Sequence, residues 1–196
     1  MWTEGHLLLT AACLIAGWSL FISLWPRAVL YLFKRAILTK GFGDGPIPLN
    51  TLRTEPQALF ADPVHPPPSA PRLATTGVNR DTLMTVGWLD LRRGPQILHV
   101  PDMGGRYYSV QLTDPSNNTN FAYVGTRTTG TAAGDHCIVG PRWQGGVPRG
   151  MSRISSPNDS VLVIGRVLVA SDSDLPIAHV LTEQIRIAPS TDDTRR

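Results

Sequence analysis

The chain has 196 residues, 42% of them hydrophobic and 17% charged, with a net charge of +3. That balance excludes a disordered chain, which would be far less apolar, and a multi-pass membrane protein, which would be far more so. Eighteen glycines and 17 prolines predict many turns and few long helices, so the fold class expected is mainly β.

From Leu7 to Trp25 no residue is charged. The stretch is about as long as a helix needs to be to cross the hydrocarbon core. Trp2 and Trp25 sit near its ends, where amphipathic rings prefer to lie, and Trp18 falls inside it. Residues 1–25 therefore read as a transmembrane anchor, with Leu7, Trp18 and Trp25 among its lipid-facing residues. A cleaved signal peptide would want a basic start, a shorter apolar core and a small-residue cleavage site. Here the early side-chain charge is Glu4, and Trp25-Pro26-Arg27 is a poor cleavage site.

Residues 26–40 read as an amphipathic helix with Val29, Leu30, Phe33 and Ile37 on one face and Gly41 as its stop. It lies along the membrane surface, continues the anchor, or packs on the domain; the pattern fits all three. Arg27, Lys34, Arg35 and Lys40 cluster here and suit anionic lipid headgroups, which makes the bilayer the first expected partner. The other basic residues are scattered among acids and form no basic stripe, so no nucleic-acid partner is expected. Basic residues after the span place the domain in the cytoplasm by the positive-inside rule.

Residues 41–80 read as a Pro- and Gly-rich connector, extended around Pro66-Pro67-Pro68. A β-sandwich or barrel domain follows over residues 81–189. Its candidate strands are residues 82–89, 96–100, 107–113, 120–124, 135–139 and 160–169, separated by turns such as Arg93-Gly94-Pro95 and Asp114-Pro115-Ser116-Asn117. A late helix is predicted over residues 176–186, opened by Pro176. Residues 190–196 form a polar tail.

No Gly-x-Ser-x-Gly elbow, His-Glu-x-x-His or Cys-x-x-Cys is present, and the five histidines are far apart in sequence. No cofactor and no catalytic residue is expected. Asp90, Asp102 and Asp114 follow strands or open turns, where a carboxylate ordinarily caps backbone N–H groups rather than serving as an acid or base. Cys13 lies in the apolar segment and Cys137 in a strand, so the two do not bridge.

Three polar clusters remain. Asn79-Arg80-Asp81-Thr82 precedes the first candidate strand, Arg106-Tyr107-Tyr108 opens another, and Gly125-Thr126-Arg127-Thr128-Thr129-Gly130 lies between two more. Arginine forks beside hydroxyls suit an anionic or sugar ligand, which makes Arg80, Arg106, Tyr107 and Arg127 the candidate binding residues. The ordinary alternative is that the arginines pair with Asp81, Asp102 or Asp135 and pin the loops.

These clusters carry a resemblance. Asn79 to Leu83, Trp88-Leu89-Asp90-Leu91, Val100-Pro101-Asp102, Gly105-Arg106-Tyr107-Tyr108, the Gly125–Gly130 loop, Gly134-Asp135, Val139-Gly140-Pro141 with Trp143, Ile164-Gly165-Arg166 and Asp174-Leu175-Pro176 together resemble the bacterial family called domain of unknown function 1254. The resemblance implies a jelly-roll-like antiparallel β-sandwich with a few short helices. It also implies a partner, a separately encoded domain of unknown function 1214, and a cell-envelope setting with the domain on the extracytoplasmic side, against the positive-inside argument. Met84 departs from the tyrosine usual after Asp-Thr-Leu. The function these readings lead to is a membrane-anchored assembly module. The alternative is a carbohydrate- or small-anion-binding protein, or a glycoside-active enzyme.

Overall fold

The computed structural model describes residues 4–42, 44–57, 60 and 81–190. Arg80 and the polyproline run lie outside them. Helix α1 (Glu4–Lys40) is unbroken for 37 residues. At 1.5 Å per residue it is about 55 Å long, well beyond the roughly 30 Å hydrocarbon core. Pro26 sits inside it and cannot donate the bond to the Ile22 carbonyl, yet the helix runs on. Residues 26–40 thus continue the apolar stretch and, through Ile37, also pack on the domain, two of the three arrangements their pattern allowed. Leu8–Lys40 has a mean hydropathy of 1.9 over its most apolar window, none of which is buried in the protein.

Gly41 ends the helix at φ 56°, donating to the Ala36 and Ile37 carbonyls. A Cβ at Gly41 would lie 2.3 Å from the Gly45 carbonyl oxygen, so glycine alone makes this turn without strain.

Nine strands form two sheets among the described residues. The five-stranded sheet has the order β1 (Leu52–Thr54), β2 (Thr82–Asp90), β8 (Ser160–Leu168), β4 (Tyr108–Asp114), β5 (Thr119–Gly125). The four-stranded sheet has the order β7 (Ser152–Ser155), β6 (Gly134–Val139), β3 (Gln96–Val100), β9 (Arg186–Pro189). Leu89, Val110, Leu112, Val163 and Val167 of the first sheet share one buried cluster with Leu98, Val100 and Ile138 of the second. Period-2 alternation puts these side chains on the facing surfaces. One pairing is parallel, β6 with β7, so the second sheet is not wholly antiparallel as expected.

The opposite surface of the first sheet is also covered. Ile37 of α1, with Phe42 and Ile47 beyond it, packs on Val86, Trp88 and Leu162, all nearly inaccessible. The residues between helix and domain are therefore not a bare linker. They supply three core side chains, Phe42, Ile47 and Phe60, and the edge strand β1, whose Leu52 pairs with Gly87. Helix α2 (Leu175–Gln184) buries Ala178 beside Leu83 and Val169 at the far end of the sheets.

Candidate functional site

Arg106 precedes β4 and is almost enclosed, its side chain 17% exposed. Nη1 and Nη2 donate to the two carboxylate oxygens of Asp174 at 2.5 and 2.7 Å, and Nη1 also reaches the Leu168 carbonyl. This fork holds the carboxyl of Asp174 down at about 2, helped by a bond from the Ala170 N–H. The partner is Asp174 rather than Asp102, whose carboxylate instead accepts from the Gly104 N–H. Asp135 is also spoken for, lying 2.7 Å from His99 Nδ1. Arg106 thus ties the end of β8 to the start of α2, and a guanidinium held this way has few donors left for a ligand.

The Gly125–Gly130 loop spends its hydroxyls on itself. Thr126 Oγ1 accepts from the Tyr108 N–H, Thr128 Oγ1 donates to the Tyr123 carbonyl, and Thr129 Oγ1 accepts from the Gly125 N–H. The last two occupy backbone groups at the end of the edge strand β5, and so blunt an edge that would otherwise pair with another chain. What the loop projects is Arg127, whose guanidinium lies 5.7 Å from the centre of the Tyr107 ring. Tyr107, Tyr123, Ser109, Arg127 and Thr128 line a cleft of about 270 Å³. The chain therefore brings Tyr107 and Arg127 together and sends Arg106 elsewhere.

Asp90 and Asp114 act as turn carboxylates. Asp90 accepts from the N–H and Nε of Arg92, which lowers its carboxyl to about 2. Asp114 accepts from the Ser116 N–H and from Asn158 Nδ2. Among the described residues no three of His, Cys, Asp and Glu converge as a metal site requires.

Two features escaped the sequence reading. Where α1 meets the domain, Lys34 Nζ lies 5.0 Å from the centre of the Trp88 ring, and both Lys34 and Trp88 Nε1 donate to Ser160 Oγ. Partial burial lowers the pKa of Lys34, offset in part by Asp90. The second is a cleft of about 400 Å³ between the β2–β3 turn and the β6–β7 loop, lined by Leu91, Arg92, Arg142, Trp143 and Asp159. Its members are scattered over 69 positions of sequence, and the one signal for it was a tryptophan set among glycines.

The sequence model of the family described as protein of unknown function (DUF1254) matches residues 62–189. The chain belongs to this family. No curated protein matches it. Among solved structures, this DUF1254 chain is similar to a protein from Vibrio parahaemolyticus, at 24% identity and a TM-score of 0.63 over 86% of its own length. It spans 37% of that longer neighbour. An uncharacterised protein from Burkholderia cenocepacia aligns at 12% identity and a TM-score of 0.38, over 61% of this chain and 31% of that one. The first likeness places the two-sheet fold of this DUF1254 member beside a known one and says nothing of chemistry.

Proposed function

We propose that this protein is a single-pass, membrane-anchored assembly module of the bacterial cell envelope. Its jelly-roll-like sandwich is held at a set height and orientation above the bilayer to meet a second β domain. The observation that carries the reading is the continuity of α1. The helix passes without interruption from fully exposed apolar turns into the buried contact of Ile37 with Trp88. A loose tether would have sufficed for a domain acting on diffusing substrate, whereas a rigid helix fixes which face meets a membrane neighbour. The occupied hydroxyls of the Gly125–Gly130 loop and the ion-paired Arg106 support a non-catalytic role. The partner proposed is a separately encoded domain of unknown function 1214, and the side proposed is extracytoplasmic.

Co-expression of the full chain with such a protein, followed by gentle detergent extraction and light scattering, tests the reading. A stoichiometric complex is expected. Recovery of monomer alone across several detergents would refute assembly. Protease added to spheroplasts should remove the domain. Protection until lysis would put it in the cytoplasm, as the basic flank of α1 argues.

A second reading rests on the Tyr107–Tyr123–Arg127 cleft, whose exposed rings and guanidinium, unclaimed by any carboxylate among the described residues, suit a sugar or a small anion. Arg80, the remaining candidate, lies outside the described residues. Titration with oligosaccharides and phosphate, compared with the Arg127→Gln variant, separates this reading from the first.

A further inference from the structure

We propose that the end of the domain next to α1 is a docking surface for anionic lipid, with the Arg92–Arg142–Trp143 cleft seated on the headgroups. The inference rests on the reading that α1 spans the bilayer. Residues Ser23, Pro26, Arg27 and Leu30 of the helix line one recess with Pro115 and Asn117 of the β4–β5 turn. Trp25, the end of the uncharged stretch, lies at that level, so the turn sits at the height of the headgroups. The ends of the strands nearest this turn are β2 at Asp90, β8 at Ser160, β3 at Gln96 and β6 at Val139. Their connecting loops form the side of the domain that looks toward the membrane.

That side is built like an interfacial surface. The carboxylates point inward and the guanidiniums outward. Arg92 and Arg142 are 69% and 77% exposed, while their partners Asp90 and Asp159 are only 17% and 24% exposed. Each pair uses part of its guanidinium, and every guanidinium has five N–H donors, so both keep donors for phosphate oxygens. Between them Trp143 is half-buried, its Nε1–H donating to the Gly146 carbonyl. A tryptophan on a rim of arginines suits the boundary between headgroups and water. Arg27 and Lys34 of the helix add positive charge on the adjoining side. Asp114, the other acid at this end, is 3% exposed and bound by its own turn, so it opposes an anionic surface little.

The test uses the full chain in lipid nanodiscs. Cys13 is changed to Ser, Cys137 is buried and does not label, and Gln144→Cys receives a fluorophore. Ser173→Cys, exposed beside α2 at the opposite end, serves as the control position. Lipids with a nitroxide on the headgroup act as quenchers in discs of phosphatidylcholine alone or with phosphatidylglycerol. Quenching at position 144 is expected to exceed that at 173 severalfold in anionic discs, and to fall toward the control in neutral ones. The double variant Arg92→Gln/Arg142→Gln should cut the anionic preference by about fivefold per charge removed. Arg92→Lys/Arg142→Lys, which keeps the charge, should restore most of it, and this excludes misfolding as the cause of the loss. Equal quenching at 144 and 173, or equal quenching in both lipids, overturns the proposal. Alkaline carbonate extraction of the same protein reports on the anchor separately. Release from the membrane sinks the span itself, whereas retention with no quenching sinks only the docking surface.

Discussion

Replacing Asp174 with Asn asks whether Arg106 is a structural tie or a ligand-binding group. Asn is as good as Asp at the start of a helix, and Asp174 makes no side-chain capping bond to α2, so the change acts on the Arg106 pair and on the bond from the Ala170 N–H. The two bonds from Arg106 and the one from the Ala170 N–H lose their charged acceptor, and Arg106 is left with a neutral partner in a site where both side chains are at least 83% covered. A hydrogen bond to a charged group contributes about 1.5–3 kcal/mol, and breaking a buried pair costs about 3–5. With one bond replaceable by the Asn oxygen, the expected loss is about 2–3 kcal/mol. For a domain of this size that lowers Tm by about 5–10 °C. The assay is thermal unfolding of the full chain in detergent, followed by near-ultraviolet circular dichroism. Acid adds a second readout. The folded carboxyl stays ionised down to about 2, while an ordinary aspartate titrates near 3.8. The stabilisation is therefore complete above pH 4 and fades as pH falls toward 2. Wild type should lose Tm more steeply than Asp174→Asn as pH falls from about 4 toward 2. A variant that melts within about 1 °C of wild type at neutral pH would refute the structural assignment and return Arg106 to the candidate ligand set.

Other perturbations test other parts of the fold. Tyr108 is 1% exposed and its hydroxyl has no hydrogen-bond partner among the described residues, so Tyr108→Phe should leave stability unchanged or raise it by about 1 kcal/mol; a clear drop in Tm would reveal a partner for that hydroxyl. A Cβ on Gly165 would lie 2.5 Å from Thr85 Cγ2 in the middle of the β2–β8 pairing, and Gly165→Ala should cost about 1–3 kcal/mol, read from the urea midpoint. Trp88→Phe keeps a ring beneath Lys34 but loses the bond to Ser160, and should loosen α1 from the domain by about 1–2 kcal/mol, seen as faster amide exchange at Phe33–Ile37 against unchanged exchange in β3. His136 is held below its ordinary pKa by burial, so its neutral form is favoured in the fold. Stability should accordingly fall as pH drops below about 6.5, and His136→Gln should flatten that slope.

What the residues showed in advance, and what they hid, follows from the range of the interactions involved. Strand β3 was read residue for residue, because Gln96 to Val100 alternates between surface and core and is bounded by turn residues on both sides. Strands β7 and β9 went unread because each is four residues long and mostly exposed; their alternation is too short to register, and neighbours β6 and β3 recruit them through backbone bonds. Strand β1 was hidden for a related reason, since Leu52 has meaning only opposite Gly87, where the missing side chain lets the Thr51 carbonyl approach. The candidate site divides along the same line. Tyr107 and Arg127 are 20 positions apart but joined by the β4–β5 hairpin, a local pairing that a sequence reader can anticipate. Arg106 and Asp174 are 68 positions apart, and no local rule chooses Asp174 over the nearer Asp102. Tertiary geometry decides it: the turn at Asp102 uses its carboxylate on Gly104, and the end of β8 brings Asp174 to the guanidinium. An arginine next to a hydroxyl-rich loop thus signals a ligand only when no distant carboxylate has claimed it. Among the described residues Arg127 meets that condition and Arg106 does not.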